Sequence, residues 1–216
     1  MPAAPHPTHI YRLVHVSNLA ALLARGRLHA PLHVPDDGLP YRTIHDTEVQ
    51  ANRRIKEVPC GPGGTVHDYL PFYFGPLSVM LLKLKSGQVE GYAEGQEPLV
   101  YLRTTVQAVM QAECPFVFTD GHGLAKFTRW FDEPAHLDAI DWPLVRDRFW
   151  ADTLDDNDRK RRKQAEFLVW QGLDWDLLDR IGVFSAGMQQ RVQGIISGYP
   201  ERKQVPVHVT RHLYYP

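Results

Sequence analysis

Apolar and polar positions divide the chain into short segments punctuated by glycine and proline. His9 to Val16, HIYRLVHV, mixes aromatic and β-branched residues and predicts a first strand that meets Ser17 as a helix N-cap. Asn18 to Arg25, NLAALLAR, repeats apolar residues at helical spacing and stops at Gly26, the glycine expected just past a helix. Residues 31 to 64 are rich in Pro, Gly and His and hold one helical candidate, Asp46 to Lys56. From Cys60 to Leu84, a PGG loop signal leads into two strand-like runs broken by Gly75 and Pro76. Thr104 to Cys114 predicts a capped amphipathic helix, Pro115 to Thr119 a buried strand, and Asp141 to Trp150 a further amphipathic helix. After a polar loop or short helix over 151 to 163, Phe167 to Trp170 is a continuous apolar block of β-favouring residues. It predicts a core strand opened by Glu166 and bounded by a turn at Gly172. The pattern then alternates strand, helix and strand to Ser185, adds a helix from Ala186 to Ser197, and closes with a strand from Val205 to Thr210.

With 216 residues, 44% hydrophobic and 23% charged, the chain suits one well-buried core, and a single domain over 1–216 is expected. The net charge of -1 gives no global preference for a polyanion. Positive charge is local instead: Arg159, Lys160, Arg161, Arg162 and Lys163 follow one another just after Asp155, Asp156 and Asp158. Cys60 and Cys114 are the only cysteines and have no metal-ligand spacing, so neither a disulfide framework nor a metal site is expected, and a reducing compartment fits. The N-terminal MPAAPHPTH has no apolar signal region and no window is long enough for a membrane span, which gives a cytoplasmic expectation.

The chemistry-bearing positions each have two readings. Glu166 at the mouth of a buried strand is a carboxylate held firmly by a sheet, with upstream cations to draw a polyanion; equally, basic runs are commonly solvated faces and strand-edge glutamates surface residues. His15 and Asn18 flank a strand-to-helix turn of the kind that offers side chains and N–H groups to a ligand, or His15 is a hydrogen-bonded core histidine. Arg53 and Arg54 on one helix let one arginine face inward to clamp an anion, or both serve solubility. Tyr69, Phe72, Tyr73 and Phe74 place alternate rings on opposite faces of a strand, one set for the core and one for a planar ligand. Asp120 and His122 sit at a glycine-rich corner as a turn or an acid–base pair. No P-loop, GxGxxG, GxSxG or HExxH occurs.

The collinear order IYRLVHVSNL, VQANRRIKEVP, PGGTVHDYLPFYFGPLSVML, PFVFTD and KRRKQAEFLV resembles the DarT family of bacterial DNA ADP-ribosyltransferase toxins, from about Ile10 onwards. HDYLPFYF and QAEFLV are its most specific pieces. The resemblance implies an α+β ADP-ribosyltransferase fold, with central split mixed β-sheets flanked by helices, and NAD-dependent transfer of ADP-ribose to thymine or guanine of single-stranded DNA with release of nicotinamide. It assigns the catalytic glutamate to Glu166 and the functional arginine, paired with NAD phosphates, to Arg53. It assigns cofactor contacts to His15, Ser17, Asn18, Leu19 and Gly26, and packing against nicotinamide to Tyr73 and Phe74. The basic run Arg159 to Lys163 falls where the family meets DNA, no metal is implied, and the expected protein partner is a macrodomain antitoxin that removes the mark. Leu77 and Val79 around Ser78 depart from the arginine and proline common in the family, which bears on acceptor choice. Two alternatives stand beside this reading. One is an NAD-dependent RNA 2′-phosphotransferase of the same fold, which relies on an arginine–histidine set; the other is a non-enzymatic nucleic-acid-binding module.

Overall fold

The computed structural model describes residues 3–216. Ten strands are found: β1 (His9–His15), β2 (Arg27–His29), β3 (Tyr69–Tyr73), β4 (Leu99–Thr105), β5 (Phe116–Thr119), β6 (Trp130–Phe131), β7 (Glu166–Trp170), β8 (Gly172–Asp174), β9 (Arg180–Val183) and β10 (Val207–Val209). The helices are α1 (Leu19–Arg25), α2 (Thr47–Ile55), α3 (Val79–Lys85), α4 (Val106–Gln111), α5 (Trp142–Arg146), α6 (Arg159–Lys163) and α7 (Ala186–Ser197). Eight strands form one mixed sheet in the order β10-β9-β4-β1-β3-β7-β5-β6, while β2 and β8 form a separate antiparallel ribbon.

The decisive feature lies in the middle of the large sheet. β1 pairs with β4 over its full length, from His9–Thr105 to His15–Leu99, but with β3 only at Tyr11–Tyr73. β3 in turn pairs fully with β7, from Tyr69–Trp170 to Tyr73–Glu166. The sheet therefore parts between β1 and β3 into two halves, as the split-sheet expectation required. Strand alternation gives the β1–β4 half two buried faces: Ile10, Val14, Val100 and Leu102 pack in one cluster with Phe72 and Phe167 of the other half, while Leu13, Leu99 and Tyr101 on the opposite face pack in a second with α3.

Local chemistry explains most boundaries. α1 ends on Gly26 at φ +66°, and Asp46 caps α2 by accepting from the N–H groups of Glu48 and Val49. Four segments differ from the sequence pattern. The run after Pro76, expected as a strand, is helix α3, because Ser78 accepts from the Leu81 N–H and the Met, Leu and Lys residues that follow are good helix formers. β4 is a full strand, and the helix expected from Thr104 starts at Val106 with Thr105 as its cap. The helix expected to reach Trp150 stops at Arg146; the Val145 and Asp147 carbonyls instead accept from Lys163 Nζ at 2.8 and 2.7 Å. The helix expected between β7 and β9 is the ribbon strand β8 and a single 3-10 turn, Trp175–Leu177. Ser17 is not the cap of the first turn; the His15 side chain is, accepting from the Ser17 N–H.

Candidate active site

The parting of β1 from β3 opens a cleft of about 380 Å³, within the usual range of small-molecule sites, about 300–1,000 Å³. Its walls come from the edges of both half-sheets, from α2, and from the long segment between β2 and α2. Arg53 and Glu166 meet in this wall. Arg53 is on the last turn of α2, and Glu166 is the first residue of β7, in register with Tyr73. The guanidinium donates from Nη1 to Oε1 at 2.9 Å and from Nη2 to Oε2 at 2.8 Å, with both side chains over nine-tenths buried. Gly123 N–H donates to Oε1 at 3.3 Å, and the Glu166 N–H is anchored on Thr119 Oγ1 at 3.1 Å, so the end of β5 fixes the start of β7.

Burial opposes ionisation of Glu166, and the charge and hydrogen bonds of Arg53 override it, holding the carboxyl below its ordinary range. Burial likewise works against the Arg53 cation, and Glu166 more than compensates. The pair is thus a fixed, ionised couple at the edge of a cleft. Arg54 is exposed, as helical geometry dictates for its neighbour. Tyr73 also lines the cleft; burial, with the Glu166 charge, pushes its hydroxyl up to about 12, so it stays a neutral donor. His122 lines the cleft too and is kept below its ordinary value by burial.

The turn after β1 forms a latch. Asn18 brackets the Arg42 backbone, its Nδ2 donating to the carbonyl at 2.8 Å and its Oδ1 accepting the N–H at 2.7 Å. The Arg42 side chain pairs with Glu94, lies over the Tyr92 ring at 5.5 Å and meets His15 Nε2 at 3.2 Å. Asn18 and Arg42 face the cleft, whereas His15, buried beneath, reaches it through Arg42. Arg42 and Glu94 escape sequence inspection because they come from irregular segments 52 residues apart in the chain; only a loop rich in charged residues hints at them.

Other expected positions lie elsewhere. Phe74 does not line the cleft: it is a core ring, edge-on to Trp142 at 5.4 Å and to Phe167 and Phe118, because strand alternation turns it away from Tyr73. Leu19 is wholly buried, Ser17 is exposed outside the cleft wall, and Gly26 serves as the α1 terminus against the Arg202 guanidinium. The basic run is short helix α6, and it is not a free cationic patch. Arg161 binds Asp120 and Asp158, Arg162 binds Asp141 and Asp156, and Arg159 donates to the Phe149 carbonyl. Lys163 is buried, its Nζ shared by the carbonyls of Pro76, Val145 and Asp147, and burial brings it down to about 8. Lys160 alone of the five is exposed. The corner at 120–123 divides its labour: Asp120 ties down Arg129 and Arg161, and His122 faces the cleft. Among the described residues no three His, Cys, Asp or Glu side chains are grouped to hold a metal, and no helix is long and apolar enough to cross a membrane.

The same architecture occurs in known proteins. Residues 11–215 match the family described as ssDNA thymidine ADP-ribosyltransferase, DarT. A DNA ADP-ribosyl transferase from Thermus sp. (strain 2.9) is 38% identical over 211 residues, covering 98% of each chain. Thermus sp. 2.9 DarT in complex with ADP-ribosylated ssDNA superposes with a TM-score of 0.92 at 37% identity over 99% of both chains. The same protein in complex with NAD+ gives 0.88 at 37% identity, over 99% of this chain and 100% of that one. With a family match over residues 11–215 and a relative 38% identical over 98% of each chain, this chain belongs to the DarT family of ssDNA thymidine ADP-ribosyltransferases.

Proposed function

We propose that the chain transfers ADP-ribose from NAD to thymidine in single-stranded DNA and that Glu166 and Arg53 carry the chemistry. The observation behind the assignment is the bidentate Arg53–Glu166 couple, buried yet in the cleft wall. In this reaction the bond between the ribose C1″ and the nicotinamide nitrogen breaks, nicotinamide leaves with the bonding electrons, and positive charge develops on the ribose. A carboxylate kept ionised offers that charge its counterpart, as at other glycosidic centres. The acceptor nitrogen of thymine then bonds to C1″ and gives up its proton to Glu166. Thymidine has a single ring N–H, at N3, which makes N3 the acceptor. Arg53 sets the position of both carboxylate oxygens, and Asn18 with Arg42 holds the segment that borders the cofactor. Tyr73, a neutral hydroxyl beside the couple, supplies an aromatic wall for nicotinamide.

A single-stranded target suits the site because its bases need no extraction from a duplex. Marked template bases would block replication in the cell that makes the enzyme, so a macrodomain antitoxin that removes the mark is the natural partner. Both cysteines are free, which accords with action in the cytoplasm.

The test is incubation with NAD and short oligonucleotides of varied base content, read by intact mass. Gain of one ADP-ribose per thymidine-containing strand, absent with Glu166→Ala while NAD still binds, is the expected result. Modification of guanine-only strands would move the acceptor, and full activity of Glu166→Ala would remove the central assignment.

A further inference from the structure

The cleft wall carries five arginine or lysine side chains, and four are already engaged by carboxylates: Arg25 by Asp37, Arg42 by Glu94, Arg53 by Glu166 and Lys83 by Asp46. The fifth, Arg12, has no carboxylate partner among the described residues. Its Nη1 donates to the Pro71 carbonyl at 3.0 Å, and among the described residues no protein acceptor meets Nε or Nη2.

Its position follows from the topology. β1 and β3 separate directly beyond the Tyr11–Tyr73 pair, and Arg12 is the next residue of β1. It reaches across the opening to Pro71, two residues before Tyr73, whose imino ring leaves only a carbonyl on that strand edge. Arg12 therefore bridges the mouth of the split, half-buried, and lines the cleft with Nε and Nη2 unmet by any described protein acceptor. The neighbouring His45, also in the wall, has its imidazolium disfavoured by burial and by the Arg12 charge, which leaves the positive charge of this corner on Arg12.

A diphosphate needs such a group. Both terminal nitrogens of Arg53, the arginine first expected to take the NAD phosphates, are given to Glu166. We propose that Arg12 is the pyrophosphate-binding residue of the cleft, meeting the diphosphate of an ADP-ribose-containing dinucleotide through Nε and Nη2 while Nη1 keeps its hold on Pro71. This rests on the cleft being the NAD site. The assignment makes Arg12 a binding residue, distant in role from the proton and bond changes at Glu166. A dianion at that point also completes the one cleft arginine or lysine that has no carboxylate partner among the described residues.

Titration calorimetry of the full chain with ADP-ribose and with adenosine, which lacks phosphate, tests this. Arg12→Gln should weaken ADP-ribose by about tenfold or more, as loss of charge-assisted hydrogen bonds to phosphate predicts, and leave adenosine unchanged. Arg12→Lys should recover part of the loss. In transfer assays KM for NAD should rise with kcat at saturation little altered. On the parent protein, salt should weaken ADP-ribose far more than adenosine, and that difference should shrink in Arg12→Gln. Equal weakening of both ligands in Arg12→Gln would mean that Arg12 only braces the split and would overturn the proposal, as would unchanged ADP-ribose affinity. A parent chain that binds neither NAD nor ADP-ribose would instead overturn the reading of the cleft itself, and this proposal with it.

Discussion

Two groups of arginine–carboxylate pairs lie close together in this molecule and do opposite things. On α6, Arg161 and Arg162 are met by four aspartates from three segments, on partly exposed surface, and their charge is spent on fixing the chain between β6 and β7. Four residues past Arg162, Glu166 meets Arg53 from a helix 113 residues away in the chain, in a wall that opens onto a cleft. The first group is scaffold because each cation has nearby acids in sequence or space and solvent to screen the rest. The second, the couple proposed to react, is different because burial strips water from both charges, so each exists only by virtue of the other. A run of cations in a sequence is therefore not yet a cationic surface, and one of two adjacent arginines on a helix can be buried in a carboxylate couple while its neighbour stays in solvent.

The largest way to break this contrast is Arg53→Gln. It leaves Glu166 buried without its cation, which should cost about 3–5 kcal/mol of stability in denaturant titration. It should also lower transfer by about a hundredfold. The pH dependence gives the sign. In the parent, the Glu166 carboxyl is held below its unfolded value of about 4.3, so its contribution to stability is present above that pH and is lost as pH falls through the lower folded value. Its role in kcat should persist equally far into acid. In Arg53→Gln burial is opposed only by His122 and the Gly123 N–H, the carboxyl rises, and the acid limb of the kcat profile should move towards neutrality. An unmoved limb would show that Arg53 does not control Glu166.

Within the scaffold half, Lys163→Met should cost about 2–4 kcal/mol, because three carbonyls lose their shared donor, yet DNA affinity per folded molecule should hold. Thermal unfolding beside oligonucleotide titration checks both parts. A fall in affinity without loss of stability would return Lys163 to the nucleic-acid surface. The smallest effect belongs to Lys160→Ala. This exposed cation should contribute about one phosphate contact, so that substitution weakens oligonucleotide binding a few-fold and reduces the salt slope by about 0.7. No change in the slope would remove even this residue from the DNA path.

Much of the fold was legible because its signals are local. The apolar periodicity and terminal glycine of α1 and the continuous apolar strand after Glu166 depend on neighbours within a few residues. The run after Pro76 is ambiguous in sequence because Leu, Met and Val pack in either element, and one serine cap decides for helix. Tyr73 and Phe74 look alike in sequence until a strand register sends Phe74 to the core and Tyr73 to the cleft. In the site, Glu166 and Arg53 were visible by type, position and family motif, whereas Arg12 and the Arg42–Glu94 latch were not.

The sequence by itself determined α1, the helix that carries Arg53 and Arg54, the apolar strand that Glu166 opens, and the family resemblance. Those follow from spacing, caps and motif, all short-range in the chain. Only the tertiary structure decided which charges are free: that Arg53 belongs to Glu166, that Arg161 and Arg162 of α6 are held by aspartates, and that Arg12 lines the cleft with no carboxylate partner among the described residues. Free charge depends on distance and burial between segments far apart in the chain, and linear order carries neither.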